Sequence, residues 1–234
     1  KWMNVYVNKL NKKFSKYFEW VNEKKDILLN SEELEIFQFH WVRFAVSIAL
    51  LDQYYGNKEI RVLELGGYDV STKLIATYFP KWQISNYSDD LRKPNWNIQS
   101  NEFDLILNME VVEHLTDQYV EKTNNPEYCY DYNGKFIYSG VINCLLESNR
   151  ILKKNGKIFL STPNALSYLN LHKMLLGEAP HQWLNHIREY SLPELEELFD
   201  KTGLEIRNRE CVEVLCADWD FSYIDKIFEL TSSE

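Results

Sequence analysis

Two acids and an imidazole stand close together at Glu110, Glu113 and His114, inside the run Asn108-Met109-Glu110-Val111-Val112-Glu113-His114-Leu115. At i, i+3 and i+4 they share one face of any helix that opens there. Carboxylates and imidazoles so grouped can take the proton of a hydroxyl, or hold a hard or borderline cation that polarises it. Two more histidines, His181 and His186, lie in a loop-rich stretch, and Glu189 follows the second by three residues. Either His114 or His186 could serve as a general base, with Glu113 or Glu189 orienting it. The plainer alternative is that Glu113 and His114 merely satisfy one another.

Two loops upstream have ligand-binding chemistry. Glu64-Leu65-Gly66-Gly67-Tyr68-Asp69 closes an apolar run, and Ser88 opens Ser88-Asp89-Asp90 22 residues after Gly66. A dinucleotide turn wants three glycines, and the acids flanking this pair would repel a pyrophosphate. A cationic ligand suits the loop better. S-adenosylmethionine carries a sulfonium and an ammonium group, which Glu64 can meet directly or through water. An acid about 20 residues beyond a glycine turn commonly accepts both ribose hydroxyls, a role open to Asp89 and Asp90 alike. A bare strand-to-helix turn and solvated turn acids are the competing readings.

The elements that must position these residues change character at Gly56. Before it, Trp2, Tyr6, Leu10, Phe14, Phe18 and Val21 recur every three to four residues as one apolar stripe, the mark of an amphipathic helix. Seven lysines against three acids in the first 26 residues give it a basic opposite face. This helical segment is expected to dock on the rest of the protein, with a membrane-surface helix as the alternative. Ser31-Glu32-Glu33-Leu34 reads as the N-cap of a second helix running to Leu51. Beyond Gly56, strands are expected at Ile60–Leu65, Trp82–Tyr87, Phe103–Asn108, Lys157–Ser161 and Leu204–Val214. Helices are expected at Asp69–Phe79, Tyr138–Lys153, Leu192–Lys201 and Phe221–Leu230, with a turn at Asn155-Gly156. This alternation argues for an open, mostly parallel sheet wrapped by helices, with ligands at the carboxyl ends of the strands.

Phe103-Asp104-Leu105-Ile106-Leu107-Asn108-Met109-Glu110-Val111-Val112-Glu113-His114-Leu115 closely resembles the FDxIxxxEVxEH segment of class I S-adenosylmethionine-dependent methyltransferases. Arg150-Ile151-Leu152-Lys153-Lys154-Asn155-Gly156-Lys157-Ile158 is similar to their RVLKPGG turn. Thr162-Pro163-Asn164, His186-Ile187-Arg188-Glu189-Tyr190-Ser191 and Pro193-Glu194-Leu195 resemble the downstream signature of the small-molecule and glycan branch. The resemblance spans about residues 56 to 214, in the family's order. It implies a Rossmann-like α/β fold, an open, mostly parallel sheet of the seven-stranded type with helices on both faces. A helical cap over 1–55 would precede a cofactor-binding core over 56–234, with insertions at about 116–139 and 165–185. The final strand pair of the family is expected to be incomplete here.

The resemblance further implies S-adenosylmethionine as cofactor and S-adenosylhomocysteine as product. Glu64, Gly66 and Gly67 would hold the methionine part, Asp89 or Asp90 the ribose, and Asn108, Met109 and Glu110 would lie beside the adenine and sulfonium. The expected catalytic residues are His114, His186 and Glu113. An E-x-x-E-H cluster with a distant histidine is also the magnesium pattern of small-RNA 2′-O-methyltransferases, which would make Glu110, Glu113, His114 and His186 an Mg²⁺ set. Tyr68 and Val70 stand where further glycines are usual. The implied function is O-methylation of a sugar, sugar nucleotide or related polar metabolite of surface-glycan synthesis. RNA 2′-O-methylation and a catalytically degenerate cofactor-binding regulatory or scaffold protein are the alternatives.

Composition narrows the partners. The 234 residues are 45% apolar with a net charge of −9, enough for a core and unfavourable to a sequence-independent grip on nucleic acid. The longest apolar run, Phe44 to Leu51, contains Ser47, so no membrane-spanning segment is expected. Cysteines at 129, 144, 211 and 216 have no metal-ligand spacing, and a reduced, cytoplasmic protein is expected. The sequence opens on Lys1 rather than Met, which leaves a preceding targeting segment open. A small-molecule or glycan acceptor is the expected partner, and a homodimer is compatible with it. The aromatic share of 15% could line a substrate pocket or fill the core.

Overall fold

A computed structural model of the protein describes residues 2–116, 139–183 and 185–209. The chain forms two compact units, one containing residues 2–60 and 68–84, the other 61–67 and 85–209. The first is helical, with α1 at Trp2–Leu28, α2 at Ser31–Tyr54 and α3 at Val70–Tyr78. The apolar stripe of α1 is seen from Phe14 onward: Phe14 and Val21 are buried, while the side chains of Trp2, Tyr6 and Leu10 lie outside the described ones. Phe14 packs with Val46 and Ala49 of α2. Asn30, not Ser31, caps α2. Its side chain accepts from Glu33 N at 3.0 Å and its own N–H donates to the Glu33 carboxylate at 3.0 Å, a reciprocal box that a serine one residue later cannot close. Asp52 ties the three helices together, accepting from Tyr17 at 2.8 Å and Tyr78 at 3.1 Å.

By length and composition α2 is long and apolar enough to cross a membrane, although no uninterrupted apolar run marks it. Phe37, Phe44 to Ala49 and Leu51 are buried, as in the core helix of a packed layer.

The second unit carries β1 at Arg61–Leu65, β3 at Phe103–Met109, β4 at Leu152–Ser161 and, from residue 85 on, the end of β2 at Gln83–Tyr87. The sheet order is β2-β1-β3-β4. β3 runs parallel to both neighbours, with Leu63 opposite Ile106 and Ile106 opposite Ile158. Strand order therefore reverses between β1 and β3, which puts the binding crevice of such a sheet beyond Leu65 and Met109. β4 starts five residues earlier than expected. The Asn155-Gly156 turn persists inside it as an irregularity, with Asn155 at φ +65° and the register jumping from Phe103↔Leu152 to Leu105↔Lys157. The α4 helix spans Ser139–Ile151, α5 Tyr168–Leu175 and α6 Leu192–Lys201.

The result is a Rossmann-like α/β fold with four strands among the described residues. Leu204–Arg209, expected to begin a fifth, has no regular structure, and no strand pairs with it among the described residues. The rest of that strand, the Phe221–Leu230 helix and nearly all of the 116–139 insertion lie outside the described residues.

The core of this unit gathers Leu63, Leu65, Trp96, Phe103, Ile106, Cys144 and Ile151. Cys144 is wholly buried beside Asn108, and burial pushes its thiol up to about 12. Arg150 clamps the segment before β3. It donates to Trp96 O at 3.1 Å, Ile98 O at 2.9 Å and the Glu147 carboxylate at 2.6 Å, and Glu147 in turn accepts from Trp96 N at 2.8 Å. Burial alone would raise Glu147, but Arg150 and the Trp96 N–H hold it below its usual value. Arg150→Leu is therefore expected to lower the unfolding free energy by about 2–4 kcal/mol, because it leaves a buried carboxylate and two carbonyls without their donor. A urea melt reads this, and an unchanged midpoint would show that the clamp holds nothing. Since the folded pKa of Glu147 is lowered, the contribution is present above the carboxylate range and fades as pH falls through that lowered value.

Candidate active site

Three turns at the carboxyl ends of β1, β2 and β3 meet at one cleft of about 560 Å³, lined by Gly66, Ser88 to Arg92, Glu110 and Val111 together with His114 and Leu115. This volume falls in the range of small-molecule sites. Gly66 has φ +96°, and a Cβ built there would lie 2.9 Å from Val111 Cγ2. Its N–H donates to Tyr87 O at 3.2 Å, fixing the first turn against the second. Only glycine accepts both the left-handed backbone and the close approach.

At the second turn the two aspartates divide. Asp90 accepts from Arg92 N at 3.1 Å, Nε at 2.8 Å and Nη2 at 2.9 Å, and this guanidinium holds its carboxyl below the usual range. Asp89 accepts only from Asp90 N, at 2.7 Å, among the described residues. At the third turn Glu110 sits at φ +56°, its N–H donating to Ser161 O at 2.8 Å and its carboxylate accepting from Ser161 Oγ at 2.7 Å.

Of the expected cofactor residues, Gly66, Asp89, Asp90 and Glu110 line the cleft. Glu64, Gly67, Asn108 and Met109 do not. Glu64 is a buried β1 residue opposite Leu107. Gly67, at φ +133°, has nothing within 4 Å of an added Cβ. Asn108 and Met109 pair with Leu160 and Ser161 inside the sheet. The Asn108 Oδ1 is buried with no hydrogen-bond partner among the described residues.

No helix carries Glu110, Glu113 and His114 on one face. The left-handed residue Glu110 turns the chain out of helical geometry, and only a 3₁₀ turn at Val112–His114 follows. Glu110 consequently stands outside the group that Glu113, His114 and His186 form, whose ligand atoms lie within 4.8 Å of one another. That is a correction to the expected four-residue cation set.

Glu113 is fully buried. Its Oε2 accepts from Thr162 Oγ1 at 3.0 Å, its Oε1 lies 4.0 Å from His114 Nε2, and its main-chain carbonyl accepts from Ile187 N at 2.8 Å and Arg188 N at 3.2 Å. Those two bonds dock the His186–Ser191 segment on the 3₁₀ turn, and the rings of His114 and His186 meet edge to face with centroids 5.0 Å apart. His114 Nδ1 lies 3.1 Å from Asn185 O, and His186 Nδ1 lies 2.7 Å from Glu189 Oε1. His181 stays outside the group, engaged through its carbonyl by Lys173.

Sequence reasoning missed Arg92 and Asn185, and it placed Thr162 in a motif without giving it a role. An arginine two residues after an aspartate pair is a readable signal for Arg92. Asn185 acts through its carbonyl, which every residue has.

A family model described as a methyltransferase domain matches residues 40–208. No curated protein matches the chain. Among solved structures, a chain from Bacillus halodurans assigned as a methyltransferase is 16% identical, covering 70% of this chain and 69% of its own at a TM-score of 0.47. A SAM-dependent methyltransferase from Thermotoga maritima is 18% identical, covering 81% and 80% at a TM-score of 0.43. One from Archaeoglobus fulgidus is 16% identical, covering 87% and 92% at a TM-score of 0.42. None of these likenesses is close enough to bear on the acceptor.

Proposed function

We propose, for a chain that belongs to the methyltransferase-domain family, that it methylates a hydroxyl of a sugar, sugar nucleotide or related polar metabolite, with His186 taking the hydroxyl's proton. The chain is an S-adenosylmethionine-dependent methyltransferase; the acceptor and the base are the proposed part. The observation that carries the proposal is the His114–His186 pair, because His114 both lines the cleft and touches the second imidazole.

The residues present fit the cofactor. Gly66 brings main chain to the cleft wall without a side chain. Asp89 keeps one carboxylate oxygen clear for a diol, while Asp90 is taken up by Arg92. S-adenosylmethionine, when bound, supplies a methyl activated on a sulfonium. The chain's share of the work is alignment and removal of the acceptor proton. A sugar hydroxyl is a poor nucleophile at neutral pH, so a base or a cation must assist it.

Asp89→Ala is expected to weaken S-adenosylmethionine binding about ten- to a hundredfold, the worth of about 1.5–3 kcal/mol of charge-assisted hydrogen bonding. Asp90→Ala, which only unfastens Arg92, is expected to lose less than about tenfold. Equal losses by calorimetry, or none in Asp89→Ala, would sink the assignment.

A second reading places a divalent cation between Glu113, His114 and His186, since three ligand atoms converge there. Two imidazoles with one carboxylate suit a borderline ion such as Zn²⁺ or Fe²⁺ better than Mg²⁺, which prefers oxygen. The function itself is tested by transfer of labelled methyl to a panel of nucleotide sugars, glycan fragments and short RNAs. Label on sugar hydroxyls supports the proposal; label confined to RNA ribose, or cofactor binding with no transfer to any acceptor, overturns it.

A further inference from the structure

Glu189 is 7% exposed, and among the described residues no lysine or arginine pairs with it. Three nitrogens surround it instead. Gln182 N donates to Oε1 at 2.6 Å, Asn170 Nδ2 donates to Oε2 at 2.7 Å, and His186 Nδ1 lies 2.7 Å from Oε1. An ionised carboxylate can only accept, so the proton between Glu189 and His186 belongs to Nδ1. In the neutral ring the lone pair of His186 is then on Nε2.

His114 follows the same logic. Its Nδ1 faces the Asn185 carbonyl, which can only accept, so in the neutral ring its lone pair also falls on Nε2, the nitrogen 4.0 Å from Glu113 Oε1. Two unrelated acceptors, a carboxylate and a main-chain carbonyl, thus set both rings in one tautomer beside one carboxylate.

We propose that Glu189 is a positioning residue that fixes His186 as its Nδ1–H tautomer and aims Nε2 at the acceptor. The carboxylate is itself held by Asn170 of α5 and the Gln182 main chain. The purpose of the device rests on the reading of His186 as the proton acceptor; its geometry does not. With the cofactor bound, the S–CH₃ bond would break as the O–CH₃ bond forms, the neutral thioether would leave, and His186 Nε2 would take the acceptor's O–H proton and hold it until solvent removes it. Asn170 also donates to Ala165 O at 3.2 Å, so the start of the 165–185 segment and the orientation of His186 share one anchor.

Long-range ¹H–¹⁵N NMR on the full ¹⁵N-labelled chain, with no ligand and at a pH where imidazoles are neutral, reads the tautomer directly. His186 is assigned by difference against His186→Gln. The parent is expected to show Nδ1–H at His186. Glu189→Gln, which keeps an acceptor oxygen, is expected to retain it, and Glu189→Leu to shift most of the population to Nε2–H. With S-adenosylmethionine and the nucleotide-sugar panel, Glu189→Leu is expected to lose about tenfold or more in kcat, with KM for the cofactor unchanged. An Nε2–H tautomer in the parent overturns the proposal, even should Glu189→Leu not fold. So does an unshifted tautomer in folded Glu189→Leu. A parent with the stated tautomer and no transfer to any sugar overturns the proposed function and leaves the positioning role standing.

Discussion

Gly66→Val is expected to abolish S-adenosylmethionine binding, leaving no calorimetric signal in a protein that still folds. The turn sits at φ +96°, a conformation costly to a β-branched residue, and the new Cβ would meet Val111 Cγ2 at 2.9 Å. Relief by moving the main chain would break the Gly66 N–H bond to Tyr87 O. Whichever way the strain relaxes, the wall of the cleft moves into the ligand's space or away from its contact. Backbone strain of about 1–3 kcal/mol drives the turn away from this geometry, and the close approach to the ligand is lost with it. Gly67→Ala isolates the backbone cost, since φ +133° strains a side chain there too while its added Cβ meets nothing within 4 Å. Far-UV circular dichroism verifies the fold, and an unchanged titration in folded Gly66→Val would refute the placement of the cofactor.

His186→Ala is expected to lower turnover on the acceptor by about 10²–10⁴-fold while leaving cofactor affinity within about twofold of the parent. The asymmetry follows from position: His186 is absent from the cleft wall that His114 helps to form. His114→Ala is accordingly expected to disturb both quantities. Chelator treatment distinguishes the two ways the cluster could work. Turnover lost with chelator and restored by Zn²⁺, Fe²⁺ or Mg²⁺ supports a bound cation; indifference supports a free imidazole base. Full turnover in both alanine variants would eliminate both.

The regular elements were readable because each announces itself locally. Leu192–Lys201 matches its expected bounds, held by Pro193 at the first turn and the Ser191–Glu194 box. β1, β2 and β3 fall within two residues of their apolar runs. The errors arose where one residue's backbone angle redirects the chain. Glu110 reads as a good helix former, yet its φ of +56° ends β3 in a turn and removes the helix expected over Glu110–His114. The division of labour between Asp89 and Asp90 depends on Arg92 reaching back to the second of them. The meeting of His114 with His186, 72 positions later, could be inferred only from a resemblance of motifs. What brings it about is a pair of main-chain bonds to the Glu113 carbonyl, and no side-chain pattern encodes these.

Cys144 turns the buried face of α4 into a clock. A thiol with no exposed surface and a pKa near 12 is neither reachable nor ionised at neutral pH. Alkylation of this one position, followed peptide by peptide in a mass spectrometer, can proceed only through excursions that lift α4 from Asn108 and the neighbouring strand residues. The labelling rate then counts how often the floor beneath the cleft opens, and a ligand that closes the cleft should slow it.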